Sequence, residues 1–404
     1  MMYRKIILLF LIVGAVSSAF ADNADDFLNG KGITGDRSAM LVVSLDGGEE
    51  LLSVNSRLPL IPASIMKCVT TQSLLNIVNP EYRFSTRVFI TGKVKDGVLN
   101  GNLLVEGSGD PSLNSRHVAD IGDICVEIGD GLQKRGVKEI RGRIIVDESV
   151  WDGPSYPPSW ASGDLPHAYG TASHGLNFED NASGSRSVKN PAAVFEGRMR
   201  AALKLRGITL SETTVDDECF EQLLDHRSVP IDEIMRSCMM RSDNQYAEAL
   251  FRTFAVENGR KGSLEEAAGQ ETRLWKKDKA PMQGVNIVDG SGLSRHNRVT
   301  ADFMAHVLRQ GSSDPYYASF FPLAGQEGTL KRFLSGTPLE GYVALKTGSM
   351  NGIQCYAGYK LDDDYVPTHI IVVMLNEMED RASARNVVEK ILLDLFSPSA
   401  TDEE

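Results

Sequence analysis

The sequence predicts an α+β fold in which strands from both ends of the chain form one antiparallel sheet against a cluster of helices. Two apolar runs near the start flank the turn Asp46-Gly47-Gly48, and three more runs alternate in the last sixty residues. Between them, apolar residues recur at helical spacing. Short strands with Gly-rich turns interrupt this helical part, so the sequence also predicts a β-rich insertion.

The elements of the main part follow from these patterns in chain order. Strands are predicted at residues 40–45, 51–54, 342–346, 354–360 and 369–375, with a turn at Asp362-Asp363-Asp364. Helices are predicted at residues 64–78, 231–241, 245–255 and 381–396. The first helix is apolar on most faces, which predicts burial on nearly all sides.

The insertion has a different character. Its predicted elements are short strands within 84–105, a helix near 117–135, a strand at 143–147, a polar break at 181–190 and a helix near 192–205. A Pro-rich loop with Trp151 and Trp160 lies among them. We therefore expect one discontinuous domain from residues 22–82 and 228–404, and an inserted accessory domain from residues 83–227.

Residues 1–21 are typical of a secretory signal. Arg4 and Lys5 precede an apolar run at residues 6–13, and Ala19-Phe20-Ala21 is a small-x-small cleavage site. A membrane anchor is the alternative, but the run is short for the roughly 20 residues that span a bilayer. We expect export, cleavage and a mature protein without a membrane anchor.

Composition excludes several functions. The net charge is −12 and becomes −14 without the signal, because that segment has two basic residues and no acidic one. Such a chain is a poor nucleic-acid binder. Five cysteines without a CxxC pair, and seven histidines without HExxH, indicate neither a disulfide scaffold nor a zinc site. At least one thiol stays unpaired.

Ser64 and Lys67 are the first candidate catalytic pair. Positions i and i+3 of a helix share a face, so the lysine amine can reach the serine hydroxyl. Burial lowers the pKa of a lysine, and its neutral form can then take the hydroxyl proton. A lone S-x-x-K match is weak, because a surface lysine one turn from a helix-capping serine gives the same pattern.

Two further motifs strengthen the assignment. Ser242-Asp243-Asn244 lies between two predicted helices, and Lys346-Thr347-Gly348-Ser349 ends a predicted strand. The first can project a hydroxyl and an amide into a cleft, and the second can bind a substrate carboxylate. The three motifs in this order are the signature of class A β-lactamases and penicillin-binding proteins.

The resemblance extends to three more segments. They are Asp289-Gly-Ser-Gly-Leu-Ser-Arg295-His-Asn, Gly107-Ser-Gly-Asp-Pro-Ser-Leu113 and Pro322-Leu-Ala-Gly-Gln-Glu-Gly-Thr-Leu330. The mature chain resembles the D-alanyl-D-alanine carboxypeptidase/endopeptidase family of peptidase S13, the penicillin-binding protein 4 group. The 178 residues from Ser64 to Ser242 distinguish it from class A β-lactamases, whose second motif lies far closer.

This resemblance implies a fold and an activity. The fold is serine β-lactamase/DD-transpeptidase-like, with a five-stranded antiparallel sheet, an all-helical cluster and the β-rich inserted domain. The activity is hydrolysis of the D-Ala-D-Ala bond in peptidoglycan stem peptides, together with cleavage of cross-links between stems. β-Lactam antibiotics are the implied covalent inhibitors, the periplasm is the implied location, and no cofactor or metal is implied.

The resemblance also implies roles for individual residues. Ser64 attacks the carbonyl, Lys67 takes its proton and Ser242 relays the proton to the leaving amine. The backbone N–H groups of Ser64 and Ser349 form the oxyanion hole. The implied substrate-binding residues are Asn244 for the acyl amide, Lys346 and Thr347 for the terminal carboxylate, Arg295 near the substrate, and Asp164 near the free amine of the stem.

The sequence departs from the family in one feature, and it leaves two alternative functions open. Only about nine residues separate Asn181 from Pro191, so the accessory domain is shorter than is usual in the family. A β-lactamase would share the acylation chemistry but would need fast deacylation. A non-catalytic protein that binds penicillin or peptidoglycan would keep the fold alone.

Overall fold

The computed structural model describes residues 22–215, 219–314 and 316–396. The expected signal segment at residues 1–21 lies outside the described residues. In the described part of the chain, no helix has both the length and the hydrophobicity needed to span a membrane.

The main sheet has five antiparallel strands in the order β13-β14-β15-β1-β2. Their bounds are β1 Ser38–Ser44, β2 Glu50–Val54, β13 Val343–Met350, β14 Ile353–Leu361 and β15 Pro367–Leu375. The two ends of the chain meet where Ser38 of β1 pairs with Leu375 of β15. The predicted fold class is confirmed, and β13 lies at a sheet edge.

Helices cover both faces of this sheet, which explains why its central strands are apolar on both sides. The described helices of the main part are α1 (22–28), α2 Met66–Leu75, α5 Ile231–Arg241, α6 Asn244–Glu257, α7 Leu264–Lys277, α8 Ala301–Gly311 and α9 Arg381–Phe396. The α2, α5, α6, α7 and α8 helices share one hydrophobic core with one face of the sheet, whereas α9 packs on the other face.

In its described residues, the insertion contains three small sheets and two α-helices. Its elements are β3 Ser85–Ile90, β4 Lys93–Lys95, β5 Val98–Asn100, β6 Leu103–Glu106, α3 Ile124–Lys134, β7 Glu139–Arg141, β8 Ile144–Asp147, β9 Ala182–Ser183, β10 Arg186–Ser187, α4 Pro191–Leu205, β11 Thr209–Leu210 and β12 Glu221–Arg227. They enclose a separate core that runs from Val88 to Ile208. The chain enters and leaves through paired strands, since Ser85 of β3 lies opposite Arg227 of β12.

Several predicted boundaries were wrong for local reasons. The helix expected from residue 117 begins at Ile124, because the Asp123 side chain accepts from the Cys125 N–H and caps the helix there. The expected polar break at 181–190 contains the β9–β10 hairpin. The strand expected to end at Lys346 continues to Met350. The helices α7 and α8 were not predicted.

Candidate active site

Ser64 lies in a tight turn that leads directly into α2. Residues Ala63–Ile65 form a single 3-10 turn, and Ala63 has a left-handed φ of 48°. A non-glycine residue in this region costs free energy, which the surrounding packing must offset. The Lys67 Nζ lies 3.0 Å from the Ser64 Oγ, so the two side chains meet across one turn.

Lys67 is fully buried, and three oxygens surround its amine. Besides the Ser64 hydroxyl, Nζ donates to Asn244 Oδ1 at 2.6 Å and to the Ser291 carbonyl at 2.8 Å. These partners come from three separate parts of the chain, namely the 3-10 turn before α2, the start of α6 and the loop before α8. The structure therefore brings the first two motifs together at the Lys67 amine.

The electrostatic environment of Lys67 works in two directions. Burial lowers the pKa of Lys67, because the charged amine loses its hydration. Negative charge on nearby groups, including Asp243 and Asp289, opposes this shift without reversing it. The net lowering favours the neutral amine that a general base requires.

Ser242 and Lys346 form a second contact pair. Ser242 ends α5 in a left-handed conformation with φ 58°, and its hydroxyl accepts from Lys346 Nζ at 2.9 Å. The same amine donates to the Thr347 carbonyl at 2.7 Å. Burial, and secondly the positive charge of Lys67, lower the pKa of Lys346 to about 7. The second and third motifs therefore meet at this amine.

Asn244 owes its position to a helix cap. The Asp243 side chain accepts from the Tyr246 N–H at 3.1 Å, so α6 starts at Asn244 with its side chain directed at Lys67. Its Nδ2 donates to the Tyr169 carbonyl of the insertion at 2.7 Å. The insertion thus supplies one of the contacts that hold Asn244.

The outer edge of β13 is free of the sheet ladder. The Leu345 N–H donates to the Pro322 carbonyl outside the sheet at 3.2 Å. Because alternate residues of a paired strand point their N–H groups to opposite edges, Thr347 and Ser349 also direct theirs outward. The Ser349 N–H is therefore available on the side where the oxyanion hole is expected.

Gly348 allows this edge to approach the Ser64 turn. A Cβ on Gly348 would lie 2.6 Å from the Pro62 carbonyl oxygen and 2.9 Å from the Ser64 nitrogen. Both neighbours are backbone atoms, so a side chain here would force the strand and the turn apart. The glycine of the third motif is thus required by the contact between two backbones.

A cleft of about 750 Å³ opens beside these motifs. Ser64, Ser242, Thr347 and Ser349 all line it. The Thr347 hydroxyl donates to Thr329 Oγ1 at 2.7 Å, and the Ser349 hydroxyl donates to Gln354 at 2.6 Å. The hydroxyl of Ser64 and the hydroxyls of the other two motifs therefore share one accessible space.

The Asp289–Asn297 loop is organised by one buried carboxylate. Asp289 accepts from the Gly292 N–H at 2.8 Å, from the Ser294 N–H at 2.7 Å and from the Asn297 side chain at 2.7 Å. The indole of Trp160 adds a fourth bond at 2.8 Å. This arrangement fixes the loop whose Ser291 carbonyl contacts Lys67.

The structure places Arg295 and Asp164 outside the lining of the cleft. Arg295 is exposed, donates to the Asn351 carbonyl at 3.0 Å and is not among the residues that line the cleft. Asp164 is half-buried and accepts from the Tyr169 hydroxyl at 3.0 Å. Its connection to the site runs through Tyr169, whose carbonyl holds Asn244.

Sequence reasoning missed three supporting groups. Two are the carbonyls of Ser291 and Tyr169, and a backbone carbonyl has no residue-type signal. The third is Glu248, which is fully buried one helical turn after Asn244 and accepts from the Ser291 N–H at 2.8 Å. Burial and the charge of Asp289 raise the pKa of Glu248. Glu248 could have been predicted from the sequence, because it lies four residues after Asn244 and therefore on the same face of a largely apolar helix.

The cysteines form no disulfides, and the described residues contain no metal-binding cluster. All five cysteines are free, and burial raises the pKa of both Cys68 and Cys238 to about 12. Within residues 22–215, 219–314 and 316–396, no group of three or more His, Cys, Asp or Glu side chains is placed to hold a metal ion.

A family model matches nearly the whole chain. The model of the D-Ala-D-Ala carboxypeptidase 3 (S13) family matches residues 20–184 and 179–393. This chain belongs to the S13 family. The family predicted from the motifs is thus confirmed.

One curated relative is similar to this chain in sequence, and two solved structures are similar to it in fold. The D-alanyl-D-alanine carboxypeptidase of Actinomadura sp. (strain R39) is 27% identical over 86% of this chain and 79% of its own length. Penicillin-binding protein 4 from Haemophilus influenzae has a TM-score of 0.81 at 21% identity, over 93% of this chain and 99% of its own. A predatory peptidoglycan endopeptidase from Bdellovibrio bacteriovorus has a TM-score of 0.54 at 16% identity, over 88% of this chain and 91% of its own.

Proposed function

We propose that this chain is a serine-type DD-peptidase that hydrolyses the D-Ala-D-Ala bond of peptidoglycan stem peptides through an acyl-enzyme on Ser64. The environment of the Lys67 amine is the observation that carries the proposal. The carbonyl oxygens of Asn244 and Ser291 can only accept, so they occupy two N–H bonds of Nζ. In the neutral amine the remaining lone pair then faces the Ser64 hydroxyl, 3.0 Å away. That is the geometry of a general base.

Acylation follows from this arrangement. Ser64 Oγ bonds to the carbonyl carbon between the two D-alanines while its proton moves to Lys67 Nζ. The backbone N–H groups of Ser64 and Ser349 stabilise the negative oxygen that forms. The C–N bond then breaks, and the proton held on Lys67 passes through Ser242 to the leaving D-Ala nitrogen, which restores the neutral Lys67 amine. The Ser242 hydroxyl lies 2.9 Å from Lys346 Nζ, which keeps its own proton. Water finally cleaves the ester and frees Ser64.

Substrate recognition uses further polar groups in and around the cleft. Lys346 supplies positive charge, and the Thr347 hydroxyl binds the terminal carboxylate. Asn244 uses its second Nδ2 hydrogen for the carbonyl oxygen of the acyl amide. Arg295 and Asp164 contribute at the outer part of the stem peptide. The family assignment supports these roles, and Thr347 also lines the cleft.

β-Lactams and cross-linked stems are the further ligands of this site. A β-lactam presents a strained amide to the same nucleophile, and its leaving nitrogen stays attached after ring opening, so the acyl-enzyme persists. Penicillin-binding protein 4 from Haemophilus influenzae has been solved in complex with a novel β-lactam. Cleavage of a cross-link is the same reaction with a second stem as leaving group.

The domain organisation and location complete the proposal. We infer that residues 83–227 form an accessory domain, shortened relative to the family, on a peptidase domain from residues 22–82 and 228–404. Export through the signal at residues 1–21 places the enzyme in the periplasm, where its substrate lies. N-terminal sequencing of the exported protein should start at Asp22, and a start at Met1 would contradict the export.

The decisive experiment is mass spectrometry of digested cell-wall fragments after incubation with the protein. Wild type should release D-Ala from pentapeptide stems, and Ser64→Ala should release none. Ser53→Ala serves as the matched control, because Ser53 is exposed on the edge strand β2 of the same sheet. It should retain wild-type activity.

The alternatives give different results in a second assay with benzylpenicillin. A DD-peptidase forms a stable adduct on Ser64, detected as a mass increase of the intact protein. A β-lactamase would release the hydrolysed drug quickly without a lasting adduct. A non-catalytic binding protein would form the adduct yet leave the pentapeptide stems uncut.

A further inference from the structure

The cleft beside Ser64 continues into a wall rich in arginine. Three arginines line it, namely Arg332, Arg381 and Arg385. The cleft volume of about 750 Å³ lies within the roughly 300–1,000 Å³ of sites for drug-sized ligands. Two alanine residues do not fill such a space, so a larger group is accommodated on this side.

Contacts place this wall next to the hydroxyls of the third motif. The Arg381 guanidinium donates to the Met350 carbonyl at 3.0 Å, and Met350 directly follows Ser349 in β13. Phe333 and Tyr356 also line the cleft, and their rings stack with centroids 4.7 Å apart. The wall therefore belongs to the same cleft as Thr347 and Ser349, whereas the buried Lys67 and Lys346 do not line that cleft.

Among the described residues, two arginines of this wall have no carboxylate partner within ion-pair distance. Neither Arg332 nor Arg381 forms an ion pair with another described residue, and both are exposed. Arg385 is half-buried, with its Nε 3.4 Å from Glu389. The one carboxylate in the lining, Asp380, accepts from the Ser383 N–H at the start of α9. In a chain with net charge −12, a cleft with three arginines and one aspartate is suited to an anion.

We propose that Arg332, Arg381 and Arg385 form a subsite for a carboxylate on the leaving group, beyond its own terminal carboxylate. This inference rests on the proposed function. We place the side chain of the leaving residue along the wall, because Thr347, which binds its terminal carboxylate, lines the same cleft as the three arginines. A second carboxylate there gains the paired N–H donors of guanidinium groups. The substrate class is a peptide whose leaving group is acidic, as in the second stem of a cross-linked dimer.

The test compares two substrates that differ only in one charge. N-acylated stem peptides end in D-alanyl-D-glutamate or in D-alanyl-D-glutamine, and the released amino acid is measured by mass spectrometry. For wild type, kcat/KM should be about tenfold higher with the glutamate substrate than with the glutamine substrate, as expected for hydrogen bonds to a charged group. The single variants Arg332→Gln and Arg381→Gln should each lower this glutamate-to-glutamine ratio of kcat/KM at least about threefold.

A matched control separates the subsite from general charge. Lys331 is exposed next to Arg332 but does not line the cleft, so Lys331→Gln removes one positive charge and should keep the wild-type ratio. A wild-type ratio near one, or equal ratios in the arginine variants and wild type, would overturn the proposal. If the protein released neither glutamate nor glutamine, and also released no D-Ala from pentapeptide stems, the DD-peptidase assignment itself would be rejected.

Discussion

Glu271 should make the stability of this protein depend on pH in a way that one isosteric substitution removes. This glutamate of α7 is fully buried, and neither of its carboxyl oxygens has a hydrogen-bond partner of good geometry among the described residues. Burial, and to a smaller extent the charges of Glu248 and Asp289, raise the pKa of Glu271 from 4.5 to about 8. The nearby Ser73 hydroxyl offsets only part of this shift.

The sign of the effect follows from proton uptake. Between pH 4.5 and pH 8 the folded protein holds a proton on Glu271 that the unfolded chain releases, so the free energy of unfolding falls as pH rises. Each pH unit contributes about 1.4 kcal/mol. From pH 5 to pH 7.5 the wild type should lose about 3 kcal/mol that Glu271→Gln retains. Any cost of fitting the amide is the same at both pH values.

Urea-induced unfolding at pH 5 and pH 7.5 measures this difference directly. The quantity of interest is the change with pH in the stability gap between variant and wild type. Glu81→Gln is the control, because Glu81 is exposed, and its gap should stay constant. An unchanged gap for Glu271→Gln would refute the reasoning, since Glu271 would then titrate alike in both states.

Two further predictions concern catalysis. The kcat/KM for D-Ala release should fall above pH about 7, approaching about tenfold per pH unit, as Lys346 loses its proton in the free enzyme. A flat profile from pH 7 to pH 9 would contradict this. Gly348→Ala should slow acylation by a fluorescent penicillin about a hundredfold, because its Cβ would displace the backbones of Pro62 and Ser64. Gly197→Ala, where a Cβ meets nothing within 4 Å, should acylate at the wild-type rate, and equal rates for both variants would refute the claim.

Much of the fold could be predicted because its signals are local. The helix predicted at residues 231–241 has the same bounds as α5, since Pro230 precedes its first turn and Ser242 ends it in a left-handed conformation. The i, i+3 spacing predicted the contact between Ser64 and Lys67. The 3-10 turn around Ser64 was not predictable, because it depends on Gly292, where a Cβ would meet the Ala63 carbonyl oxygen.

The parts of the site that escaped prediction depend on contacts between distant segments. The Tyr169 and Ser291 carbonyls act through their backbone, and the identity of a side chain says nothing about where its carbonyl points. The helix α7 was not predicted because most of its residues are charged or polar. Its few apolar residues form only a narrow stripe, which ends at the buried Trp275. Tertiary packing, and not local preference, decided these features.

The hydrogen bonds between Phe84 and Ser228 have a consequence for modular engineering of this scaffold. The Ser228 N–H donates to the Phe84 carbonyl at 3.1 Å, and the Ser228 hydroxyl accepts from the Phe84 N–H at 2.9 Å. Excising residues 85–227 would therefore leave two ends that a short hairpin can join without moving the sheet. The product would keep its hydrophobic interior yet lose the carbonyl that orients Asn244 and the indole that anchors Asp289. Folding of the scaffold would then depend on the residues that remain, whereas residues 85–227 would be needed to orient side chains of the site.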